Sequence, residues 1–102
     1  MNDRALSMLG LCARAGKLVT GEKAVVQAVR SGSCFVVLLD DGVAQNGEKA
    51  VSQACASHGV PLLRAEPGRL GEAIGRPGRM AAGVTDPGMA KRIMELSHLG
   101  VQ

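Results

Sequence analysis

Apolar residues recur along this chain in two alternating rhythms, one helical and one extended, and together they predict five helices and four short strands. The first helix spans about Asp3 to Ala15. Leu6, Leu9, Cys12 and Ala13 share one side at spacings of three and four, and Arg4, Ser7 and Arg14 face outward. Gly16 is placed to end it, because glycine tolerates the left-handed cap. Lys17-Leu18-Val19 then predicts a short strand. Thr20 is the expected cap of a second helix from Gly21 to about Ser31, with Glu22 facing the positive end of the helix dipole. Val25, Val26, Ala28 and Val29 form its apolar side. The run from Cys34 to Leu39 is wholly apolar and rich in β-branched residues, which predicts a central strand covered on both faces, with Phe35 buried. Asn46 is the expected cap of a third helix reaching Ser57. Pro61 to Arg64 predicts a third strand, Arg69 to Ile74 a short fourth helix, and Met80 to Val84 the last strand. Asp86-Pro87 joins a capping acid to a proline at the first helical position. Ala90, Ile93, Met94 and Leu96 or Leu99 supply the buried side of the final helix.

This alternation implies an α/β chain folded as an α/β/α layered domain. The 102 residues suit one domain, 1–102, with no repeat and no low-complexity segment. With 46% hydrophobic and 21% charged residues, the composition is that of a globular domain and argues against a disordered tail. Phe35 is the only aromatic residue. Valine, leucine, isoleucine, methionine and alanine must therefore fill the core. The odd set Cys12, Cys34 and Cys55 lacks paired spacing and points to reduced thiols. Met1-Asn2-Asp3-Arg4 has none of the marks of a signal peptide. The apolar run 34–39 is too short to span a membrane. The expectation is a cytoplasmic protein, monomeric by default.

Enzyme chemistry finds no foothold in these residues. No phosphate-binding loop is present, and Gly68, Gly71, Gly75 and Gly78 read as punctuation between elements. Cys55 and His58 have the spacing of half a metal site, but His98 is the only other histidine, so no metal and no cofactor is expected. Cys55 reads as a core residue with His58 solvated beyond it. No base and orienting group accompany any cysteine as a nucleophile would require. Asp40-Asp41 reads as a solvated turn closing the central strand.

At the second helix the sequence becomes specific. Gly16-Lys17-Leu18-Val19-Thr20-Gly21-Glu22, then Ala28-Val29-Arg30-Ser31-Gly32, then Val36-Val37-Leu38-Leu39 resembles the superfamily named after ribosomal proteins L7Ae and L30e, in its short bacterial YlxQ-like branch. Leu9 to Gly16 resembles the opening helix of that branch, Leu70 to Gly75 its fourth helix, and Val84-Thr85-Asp86 the end of its last strand. The resemblance spans about residues 3–95. It implies a three-layer α/β/α sandwich around a four-stranded mixed sheet with about five helices. It also implies binding to structured RNA at a kink-turn, on ribosomal or other RNA. In such proteins the start of the second helix meets the guanines, and the loop after the fourth helix covers an extruded base.

On this chain the implied contact residues are Gly21, Glu22, Lys23 and Gln27 at the helix tip. Lys17, Arg14 and Arg30 lie near in sequence, and Arg76 and Arg79 belong to the second loop. The physics suits the role: a helix start offers unpaired N–H groups and positive partial charge to a phosphate-rich partner. The net charge of +3 is compatible with such a partner without requiring one. The plain alternative is that these cations solvate helix ends and that the fold serves as a protein-interaction module. The best-known kink-turn binders carry Asn-Glu early in this helix and Lys three positions later. Those positions here are Lys23, Ala24 and Gln27, and Arg76-Pro77-Gly78-Arg79 replaces their apolar loop. With Phe35 expected to be buried, modes that stack bases on sheet aromatics are excluded.

Overall fold

Asn2 and Asp86 fix the starts of the two long helices that cover one face of the sheet. The Asn2 side chain accepts the Ala5 amide at 2.8 Å, and the Asp86 carboxylate accepts that of Met89 at 2.8 Å. Each satisfies a donor that a helix start would otherwise leave open. The computed structural model describes residues 2–99. Along the chain it contains α1 (Asp3–Arg14), β1 (Leu18–Thr20), α2 (Glu22–Arg30), β2 (Val36–Asp40), α3 (Gln45–His58), β3 (Leu62–Ala65), α4 (Arg69–Ile74), β4 (Ala81–Val84) and α5 (Pro87–Leu99).

The sheet runs β1-β4-β2-β3. β4 is antiparallel to both β1 and β2, whereas β2 and β3 are parallel, so the sheet is mixed as the resemblance implies. All five residues of β2 are buried. Successive residues of a strand face opposite ways, and here they divide between two cores. Val36 and Leu38 pack with Leu6, Leu9, Leu70 and Ile93 beneath α1, α4 and α5. Val37 and Leu39 pack with Val25, Val29, Val51 and Cys55 beneath α2 and α3. The result is a three-layer α/β/α sandwich. Leu96 is buried in α5, while the side chain of the alternative, Leu99, lies outside the described residues.

Several local expectations are corrected. Thr20 ends β1, paired with Ala82, so the cap position of α2 falls to Gly21. Asn46 lies inside the first turn of α3, which begins after Ala44 with no side-chain cap. β2 starts at Val36, and Phe35 is 38% exposed rather than buried. The largest correction concerns Asp40. It is fully buried, not a solvated turn, and it accepts three backbone amides: Gly42 at 2.7 Å, Gly68 at 3.1 Å and Leu70 at 3.2 Å. Asp41 alone faces solvent, beside Arg64.

On the outside, Arg64 of β3 clasps Glu48 of α3, which also accepts the Ser52 hydroxyl. The Arg64 bonds, helped by Ser52, pull the Glu48 carboxyl down from 4.5 to about 2. A depressed carboxyl contributes stability above its unfolded pKa, and that contribution disappears as pH falls toward the folded value. Urea midpoints between pH 5 and pH 2 should therefore fall more for the wild type than for Glu48→Gln. Parallel curves would mean that the clasp adds nothing.

Candidate nucleic-acid interface

The register of the sheet gathers Thr20, Ala81, Leu39 and Ala65 at one end, and α2 and α4 both start there. Gly21 makes the turn from β1 into α2. Its amide donates to the Ala81 carbonyl at 2.9 Å, and its backbone takes φ 97°, ψ 146°, a region almost reserved for glycine. No side chain caps the helix, so the amides of its first turn stay open.

The α4–β4 loop closes over the same end. Gly71 allows this, because a Cβ there would lie 2.7 Å from the Arg76 carbonyl and 3.2 Å from Pro77 Cα. The Arg76 amide donates back to Gly71, and Arg79 closes a turn onto Arg76. Arg79 then lays its guanidinium across Gly21, with Nη1 3.2 Å from where a Cβ would sit. Arg76 borders a small cleft of about 80 Å³ with Ala13, Leu18, Thr20 and Ile74. The structure thus brings Gly21, Arg76 and Arg79 together with the first turn of α2, which carries the exposed Lys23.

Other predicted residues are placed differently. Glu22 is half-buried and leans on α3, its Cγ 3.1 Å from where a Cβ on Gly47 would sit. Gln27 and Arg30 are exposed at helical spacing from Lys23, which makes one solvent stripe along α2. Arg30 lies about 10 Å along that stripe from Lys23, at 1.5 Å per residue. Lys17 sits at the opposite end of β1, where its carbonyl accepts the Thr85 amide. Arg14 borders a separate groove with Gly10, Arg69 and Glu72. Their neighbours Leu18 and Ala13 line the cleft that Arg76 borders, so Lys17 and Arg14 lie beyond that cleft and not at the helix tip itself.

Three arginines away from the α2 start are held in ion pairs. Arg64 is paired with Asp41 and Glu48, Arg69 with Asp3, Glu66 and Glu72, and Arg92 with Glu95. Lys23, Arg30, Arg76 and Arg79 make no ion pair among the described residues. The acids thus hold Arg64, Arg69 and Arg92 and leave the other cations open, among them the four around α2 and the loop. An open cation set beside an uncapped helix start is suited to an anionic partner.

Sequence reasoning missed the residue that frames this surface. Asp40 donates its own amide to Met80 at 2.8 Å while its carboxylate holds Gly68 and Leu70. Both ends of the segment carrying Arg76 and Arg79 are thereby tied to one residue. The signal available was an acid closing an otherwise apolar strand.

Among the described residues no group of three or more His, Cys, Asp or Glu is arranged to hold a metal ion. The three cysteines are buried free thiols, and burial pushes that of Cys34 up to about 11. No helix among the described residues is long and apolar enough to cross a membrane.

With this geometry in view, a profile of the ribosomal protein L7Ae/L30e/S12e/Gadd45 family matches residues 3–94. The chain is 36% identical over 90 residues to RNA-binding protein YlxQ of Bacillus subtilis, covering 87% of this chain and 90% of that one. It is 31% identical over 95 residues to RNA-binding protein YlxQ of Enterococcus faecium, covering 92% and 91%. Among solved structures, a protein of unknown function from Bacillus halodurans superimposes with a TM-score of 0.87 at 35% identity, over 93% of this chain and 97% of that one. The Giardia lamblia 15.5kD RNA binding protein shares the fold at a TM-score of 0.73 and 20% identity, over 91% and 87%.

Proposed function

The chain belongs to the ribosomal protein L7Ae/L30e/S12e/Gadd45 family, and from that membership we infer that it is a non-catalytic protein that binds structured, kink-turn-like RNA. The observation that carries the reading is the convergence of the uncapped α2 start with Arg76 and Arg79, which make no ion pair among the described residues. The names of the Bacillus and Enterococcus relatives support RNA as the partner. Ribosomal RNA or another RNA of translation is the target class that the family points to. The protein works as a monomer in the cytoplasm, without metal or cofactor.

The open amides of α2 and the Gly21 backbone meet a base edge or phosphate where a side chain would hold the RNA away. Lys23, Arg76 and Arg79 neutralise flanking phosphates, with Gln27 and Arg30 continuing the contact along α2. Ala24 and Gln27 stand where the best-known kink-turn binders have Glu and Lys, so backbone and cation contacts dominate over side-chain reading of bases.

Affinity for three RNAs over a salt series tests this: a kink-turn, a straight duplex and a kink-turn with its G·A pairs destroyed. The kink-turn should bind tightest, with a log–log salt slope of about three to five. Equal, steeply salt-dependent binding to all three would reduce the site to a generic basic surface. No binding near physiological salt would sink the RNA reading and favour a protein partner.

A further inference from the structure

The exposure of Phe35 gives the far end of α2 a chemistry that a buried ring would have withheld. There lies a groove of about 440 Å³ whose walls include Arg30, Phe35, His58, Val60 and Pro61, and no acid lines it. Phe35 is the chain's only aromatic residue, and a large apolar side chain left 38% exposed costs free energy unless something covers it. Three carbonyls of the last turn of α2 are already engaged here and do not point unpaired at a ligand. The amides of Ser31, Gly32 and Ser33 take the carbonyls of Gln27, Val29 and Ala28. Arg30 is a cation without an ion-pair partner among the described residues, and it ends the exposed stripe that begins at Lys23.

We propose that this groove holds an unpaired base of the bound RNA, stacked on Phe35 with its phosphate at Arg30. The inference rests on the RNA-binding reading and adds a second contact to it. Two observations select this occupant. The groove's wall includes Arg30, where the exposed stripe from Lys23 through Gln27 ends, and that cation complements phosphate. An exposed ring beside an arginine is also the combination that single-stranded bases use, because every base offers a stacking face.

The test compares a kink-turn RNA without overhangs to the same RNA with six single-stranded uridines added to one end or another. At least one tailed RNA should bind wild type roughly tenfold tighter than the untailed RNA. Phe35→Leu, which keeps an apolar side chain without a ring face, should lose that gain and retain untailed affinity. An abasic tail should give no gain. A gain that survives Phe35→Leu, or no gain from any tail, overturns the proposal. Self-association in sedimentation that Phe35→Leu abolishes would assign the groove to a second copy and also overturn it. Untailed binding reports separately on the RNA reading. If it is absent, hexauridylate alone decides the groove: shifted Phe35 ring resonances support the proposal, and unshifted ones end it.

Discussion

Asp40→Ala should lower the free energy of unfolding by about 3–4 kcal/mol, because it removes at once the charged acceptor of three backbone donors, that of Leu70 buried. The Gly42, Gly68 and Leu70 amides all end on this one carboxylate. A domain of this size has only about 5–15 kcal/mol to lose. Asp40→Asn should cost less, about 2 kcal/mol. Its carbonyl can keep the two bonds to Gly42 and Gly68, but its NH2 then faces the Leu70 amide, donor against donor. Urea denaturation of the three proteins checks the order. A loss under 1 kcal/mol for Asp40→Ala would mean that water replaces the carboxylate and that the residue does not frame the loop.

The second large effect concerns affinity and not stability. Replacing Lys23, Arg76 and Arg79 together with alanine should weaken binding to a kink-turn RNA about a hundredfold near physiological salt. The salt slope should fall by about three, one for each phosphate that is no longer neutralised. All three side chains are exposed and make no ion pair among the described residues. The urea midpoint should therefore move little, about 0.5 kcal/mol or less per site. A triple variant with unchanged affinity and slope would place the RNA elsewhere or nowhere on this protein. Weaker binding together with weaker folding would instead point to a structural role for Arg79 over Gly21.

These two cases also mark what could be read from the residues alone. Helix α5 was legible because Asp86 and Pro87 carry their instructions locally, one by accepting an amide and one by fixing φ. The layered fold was legible because Leu6, Leu9 and Cys12 repeat helically whereas the run from Cys34 to Leu39 is apolar throughout. Asp40 was not. Its three donors lie 2, 28 and 30 residues away, so only the folded topology turns a turn-like acid into a buried anchor. Phe35 was not legible as an exposed ring, because the apolar run begins at Cys34 whereas β2 starts two residues later, at Val36, and leaves the ring at the rim. Thr20 has the side chain of a helix cap, but pairing with Ala82 keeps it in β1 and leaves the turn to a glycine. The candidate surface was legible in part. The resemblance named the α2 start and the α4–β4 loop, and Arg79 does lie across Gly21. Lys17 and Arg14 stand one strand's length from the α2 start, beside a cleft that Ala13 and Leu18 share with Arg76.

The central claim is a place as much as a function: structured RNA meets the start of α2 and the α4–β4 loop together. Mapping amide resonances of the protein against a titrated kink-turn RNA tests it directly. The account predicts the largest changes at residues 21–24 and 76–80, with the β3 and α3 faces around Arg64 quiet. Changes confined to those paired faces, or to α5, would contradict it.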